Sequence, residues 1–157
     1  MAARWRQLPA PVRAVAVATE DAVSAAGEQD QEAFDAAVAL LAGTEGSGLV
    51  LGSTVRLLLE ARHPDGLDGD DIRQVLTDTV TRAGQWRSDV DPHAVLVLLA
   101  GALGIHDQDE QTPPMAAVES ARHAVLLLDH LISGGRRPVG DYLTAVFTEI
   151  ERTETLD

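Results

Sequence analysis

The sequence predicts an all-α protein, a single-domain bundle of six or seven helices. Three observations carry that expectation. Apolar residues recur at three- and four-residue spacing along nearly the whole chain, while the alternation of a half-buried strand is hard to find. Capping side chains and prolines fall where the apolar stripes begin. Glycines fall where they end. At 157 residues, 45% of them apolar, the chain is long enough to bury one core without disulfide or metal staples. Aromatics supply only 3%, so Ala, Val, Leu and Ile must build that core. The domain is expected to span 1–157, with 1–10 as an N-terminal arm and 154–157 as a C-terminal tail.

The first two helices are expected over 11–27 and 30–43, the second stopped by Gly43. A third, 48–62, opens after "GSG", where Ser47 is read as its cap, and stops at Pro64 and Gly66. The fourth, 69–87, has the cleanest stripe: Ile72, Val75, Leu76, Thr79, Val80, Ala83 and Trp86 lie on one side, and Arg73, Gln74, Asp78 and Arg82 face away. Asp68 or Asp70 caps it. Asp91-Pro92 starts the fifth, 92–105, and Thr112-Pro113 starts the sixth, 114–133, which ends at Gly134 and Gly135. Leu143, Val146, Phe147 and Ile150 mark the seventh, 138–153.

Two stretches, 49–61 and 94–105, are apolar all round, which predicts that both run through the middle of the bundle. Gly101 and Gly104 weaken the second by about 1 kcal/mol each relative to Ala, and close approach of a neighbouring helix or a dimer seam would explain them. The chain also echoes itself in order. "AVALLAG" (37–43) resembles "VLVLLAG" (95–101), "VRLLLEA" (55–61) resembles "AVLLLDH" (124–130), and "DIRQVLTDTVTR" (71–82) lines up with "DYLTAVFTEIER" (141–152). Two three-helix repeats about a pseudo-twofold axis would give this pattern, and so would chance in a chain rich in Ala, Val and Leu.

The formal net charge is −13, and all 12 basic residues are Arg. No basic face is available to displace counterions from phosphates, so neither nucleic acid nor an anionic membrane surface is expected as a partner. The absence of Cys removes disulfides, thiolate nucleophiles and thiolate metal sites. The early apolar run 14–18 is too short for a secretory segment, and the longest run, 94–105, is below the roughly 20 residues that cross a bilayer. A cytoplasmic location is expected.

The densest cluster of potential ligands is "HPDGLDGDD" (63–71). A calcium loop needs oxygen ligands at its first, third, fifth and twelfth positions with Gly at the sixth. Neither register fits: counting from Asp65 puts Leu67 third, and counting from Asp68 puts Arg73 sixth. A polar joint explains the same residues, with its carboxylates beside the positive end of the next helix. "LLLEARHPDGLDGDDI" also resembles the helix–Asp-Gly–helix joint of TerB-like tellurite-resistance domains, a likeness covering that one joint, with no second acidic joint to match.

His106, Asp107, Asp109 and Glu110 mix nitrogen and oxygen donors and are the candidate metal ligands, although one short stretch supplies all of them. Glu119, His123 and His130 share one helix face, which reads as a surface Glu–His pair. "GGRRP" (134–138) places two arginines before a helix start. No G-x-S-x-G elbow, dinucleotide glycine motif or phosphate-binding loop is present. No catalytic residue and no cofactor is expected. The expectation is a non-enzymatic interaction or regulatory module that forms a homodimer, through Gly101 and Gly104 or the face carrying Val12, Val15 and Val23, with a basic or apolar protein as a further partner. The alternative is a bundle that binds a small apolar ligand or carries out metal-dependent hydrolysis.

Overall fold

Three aspartates start three of the helices. Asp30, Asp68 and Asp91 stand just outside a helix in extended backbone, and each accepts a hydrogen bond from a first-turn N–H. The computed structural model describes residues 5–104, 115–135 and 137–156. Within them lie seven helices: α1 (Ala10–Glu28), α2 (Gln31–Ala42), α3 (Ser47–Arg62), α4 (Gly69–Gly84), α5 (Pro92–Ala102), α6 (Ala117–Ser133) and α7 (Val139–Leu156). No strand occurs among the described residues, and no single helix there is long and apolar enough to cross a membrane.

Several ends differ from the expectation. Ser47 does not cap α3: the cap is Gly46, left-handed at φ 88°, and the Ser47 hydroxyl donates to the Leu41 carbonyl at 2.6 Å. Left-handed backbone favours glycine, so the turn rests on residue 46. Gly43 and Gly134 follow their helices in right-handed backbone, while Gln29, with φ 58°, ends α1 left-handed. α6 begins at Ala117 after a residue with no side-chain cap. Thr112 and Pro113, expected to start it, lie outside the described residues.

The middle of the bundle is α6. Every residue from His123 to Asp129 is buried, and the helix packs on α1, α2, α3, α4 and α5. Neither stretch expected at the centre is sheathed on all sides. α3 buries one face, through Val50, Leu51, Thr54, Val55, Leu58 and Leu59, and leaves Leu49 63% exposed. α5 buries Ala94, Val95 and Leu99 but leaves Leu96 42% and Val97 41% exposed. At Gly101 no described helix approaches: a methyl group built there would meet nothing within 4 Å among the described residues. Gly104 lies past the end of α5 with φ 76°, where it terminates the helix.

α3 packs on α5, α6 and α7, while α6 packs on α2, α3 and α4. Exchanging the two echoing halves maps α3·α5 onto α2·α6 and α3·α7 onto α4·α6. The contact of α4 with α5 has no α2·α7 counterpart among the main packed pairs; α1 packs on α7 instead. Ahead of α1, buried Trp5 meets the Phe147 ring edge to face at 5.7 Å, which ties the start of the described chain to α7.

Candidate functional site

The joint at 63–71 holds its own side chains together. Asp68 accepts from the Asp71 N–H at 2.9 Å, and Asp71 accepts from the Asp68 N–H at 3.0 Å, a reciprocal capping box. The Asp71 N–H, more than any other group, holds the Asp68 carboxyl below its ordinary range. Asp70 pairs with Arg73 at 2.6 Å, and His63 lies 4.0 Å from Asp71. Each of these side chains is used within the joint.

His106, Asp107, Asp109 and Glu110 lie outside the described residues. Among those described, no three His, Asp or Glu side chains come together as a metal site would require. Arg136 of the basic pair is also outside them, and Arg137 is exposed.

The pairing expected of Glu119 and His123 on the surface is not what forms. His123 is buried, and its Nδ1 lies 2.8 Å from the Glu119 main-chain carbonyl, one turn earlier in α6. Its Nε2 accepts from the Asp91 N–H at 3.0 Å. A carbonyl can only accept, so Nδ1 carries the proton and the ring is neutral, fastening the start of α5 to α6. His130 sits about two turns further on, half-buried. Desolvation first, and then the Arg62 and Arg82 charges against the opposing pull of Asp78, push its pKa below the ordinary 6.5.

That direction fixes a pH dependence. The folded state binds the His130 proton less readily than the unfolded chain. The stabilisation from this residue is therefore present above the unfolded pKa and is lost as pH falls through 6.5 toward the folded value. The urea midpoint should fall between pH 7 and pH 5, and His130→Gln should flatten that decline. The expected difference is a few tenths of a kcal/mol, because solvent screens a half-exposed ring. Equal slopes in the two proteins would show that His130 does not contribute.

Two ion-pair groups escaped the sequence reading. Arg82 of α4 donates to Asp129 of α6 at 2.7 Å through Nε and 3.4 Å through Nη2; Asp129 is 7% exposed and Arg82 39%. Arg87, 6% exposed, pairs with Asp35 at 3.0 Å and with Asp89 at 2.8 Å. Its guanidinium lies 4.7 Å from the Phe34 ring centre and 5.3 Å from that of Trp86. Arg122 approaches Asp89 at 3.4 Å, and Gln31 donates to the Trp86 carbonyl. The Arg87 hydrogen bond, first of all, lowers the Asp89 pKa. This clasp binds the α4–α5 connection to α2 and α6.

Among the described residues, α3, α5 and α6 form a cleft. It encloses about 140 Å³ and is lined by Leu51, Gly52 and Val55 of α3, Leu98 of α5, and Ala117 and Ala121 of α6, among others. None of the described residues that line it is charged. The helices that form it also carry exposed aliphatic residues, Leu96 and Val97 on α5 and Val118 on α6, while exposed Leu49 of α3 lines a separate hollow with Val146 and Ile150 of α7. At Gly48 and Gly52 an added methyl group would meet no atom of the described residues within 4 Å. In the sequence the small residues of α3 and α6 are about 70 positions apart, and no local pattern joins them. No protein-family model matches the chain, nor does any curated protein or solved structure.

Proposed function

We propose that the protein is a non-enzymatic helical interaction module of the cytoplasm that works by self-association. The cleft, whose described lining carries no charge, supports this reading together with the aliphatic residues left exposed on α3, α5 and α6, because apolar side chains left in water gain free energy when a second surface covers them. The expected partner is a second copy. Two chains of net charge −13 repel wherever carboxylates meet, and this cleft brings none. Light scattering at micromolar concentration in moderate salt should give about twice the 16.6 kDa of one chain. A mass of one chain would remove the self-association reading.

The cleft also supports a second reading, a site for a small apolar ligand. A cavity of about 150 Å³ lined by apolar side chains takes a molecule the size of benzene. Native mass spectrometry of gently purified protein distinguishes the two, since a retained ligand adds a small fixed mass to each chain.

A further inference from the structure

We propose that His123 is an acid-operated latch, in which a second proton on the ring releases the start of α5 from α6.

The latch follows from hydrogen-bond valence. A neutral imidazole has one N–H and one bare nitrogen, and both are engaged here. Nδ1 faces the Glu119 carbonyl at 2.8 Å and has to donate, so Nε2 is the bare nitrogen that accepts the Asp91 N–H at 3.0 Å. A second proton can go only to Nε2, where it points at another donor. The ring is 1% exposed, so solvent cannot take over the lost contact. Two opposed N–H groups, one of them on a buried cation, are relieved by local opening. The closed joint thus admits one proton fewer than the open one, and falling pH favours the open form.

What the contact holds is the N-cap of α5. Asp91 carries that cap, with its carboxylate on the His93 N–H, and its carbonyl accepts from Val95. α5 is the shortest of the seven helices at 11 residues, buries Ala94, Val95 and Leu99, and has α3, α4 and α6 as its main packing neighbours. Release uncovers Val95 and Leu99 and takes Leu98 off the cleft wall.

The charged groups around the joint do not hold a protonated ring in place. From the α4–α5 connection, Asp89 is paired with Arg87 and Arg122, and Asp91 caps α5. Asp35 of α2 is paired with Arg87. On α4, Asp78 and Arg82 act on His130, about two turns away. α5 brings only His93, which is exposed. On α6, Arg122 repels a charged ring, and a ring that turns toward the half-buried Glu119 carboxylate lets go of Asp91 as well.

NMR on the full chain between about pH 8 and pH 5, where histidines gain their charge, tests the latch. The His123 ring and the Asp91 amide should titrate together. Hydrogen-exchange protection of the Val95, Leu96 and Leu99 amides, corrected for the intrinsic rate, should fall at least about tenfold more than that of Leu126 and Leu127 in α6. His123→Gln offers the Asp91 N–H an acceptor that acid does not protonate, and should remove the difference between α5 and α6. His130→Gln should leave that difference in place, which separates the latch from the other half-buried imidazole. The wild-type spectra decide even if His123→Gln does not fold. An Asp91 amide that stays unchanged while the ring titrates overturns the latch. So does a ring that takes no proton down to pH 5, or equal loss of protection in α5 and α6.

Discussion

Leu127→Ala should lower the unfolding free energy by about 3–4 kcal/mol, the cost of a large buried residue replaced inside a helix that cannot collapse around the gap. Leu127 is fully buried in α6, the helix that packs on five others. Against a typical total of about 5–15 kcal/mol, that one deletion removes a large share. Leu96→Ala is the contrasting variant. Leu96 lies in the stretch that composition places at the centre, yet it is 42% exposed, so its truncation should cost under about 1 kcal/mol. Urea unfolding followed by circular dichroism measures both. Equal losses would mean that α6 is no more central than α5.

Arg82→Ala is the second large effect. It leaves the Asp129 carboxylate, 7% exposed, without its cation. Breaking a fully buried pair costs about 3–5 kcal/mol. Arg82 is 39% exposed, and water entering from its side will solvate part of the charge, so about 2–3 kcal/mol is expected here. Replacing both residues, as Arg82→Leu with Asp129→Leu, removes the stranded charge and should recover most of that loss. A double variant as unstable as Arg82→Ala would show that the damage comes from lost packing.

The helices themselves were legible, because each carries an apolar stripe and few of them break it. All seven appear within a few residues of where periodicity places them. The centre of the bundle was not legible. Within "ARHAVLLLDH", His123 and Asp129 lower the apolar character below that of 94–105. Both are buried because partners far away in the chain satisfy them: the Asp91 N–H, 32 positions from His123, and Arg82, 47 positions from Asp129. Polar residues with distant partners look like surface residues to any local pattern. The same limit hid the Arg87 clasp, where "QWRSD" shows its chemistry only after α2 has supplied Asp35 and Phe34. The cleft is the third case, since its walls come from three helices and no described atom crowds Gly48 or Gly52.

The position of α6 in the chain has a consequence for synthesis. The ribosome releases the chain from its N-terminus, and the helix on which α1 to α5 all pack begins only at Ala117. Until it emerges, the apolar faces that these five helices turn toward α6 stay uncovered, although α1 can already pair with α2, and α5 with α3 and α4. Local helix formation is fast, but the core cannot close before Ala117–Ser133 has been made. A nascent chain stalled ahead of α6 is therefore a chaperone client, and a truncation there yields an aggregation-prone fragment rather than a smaller domain.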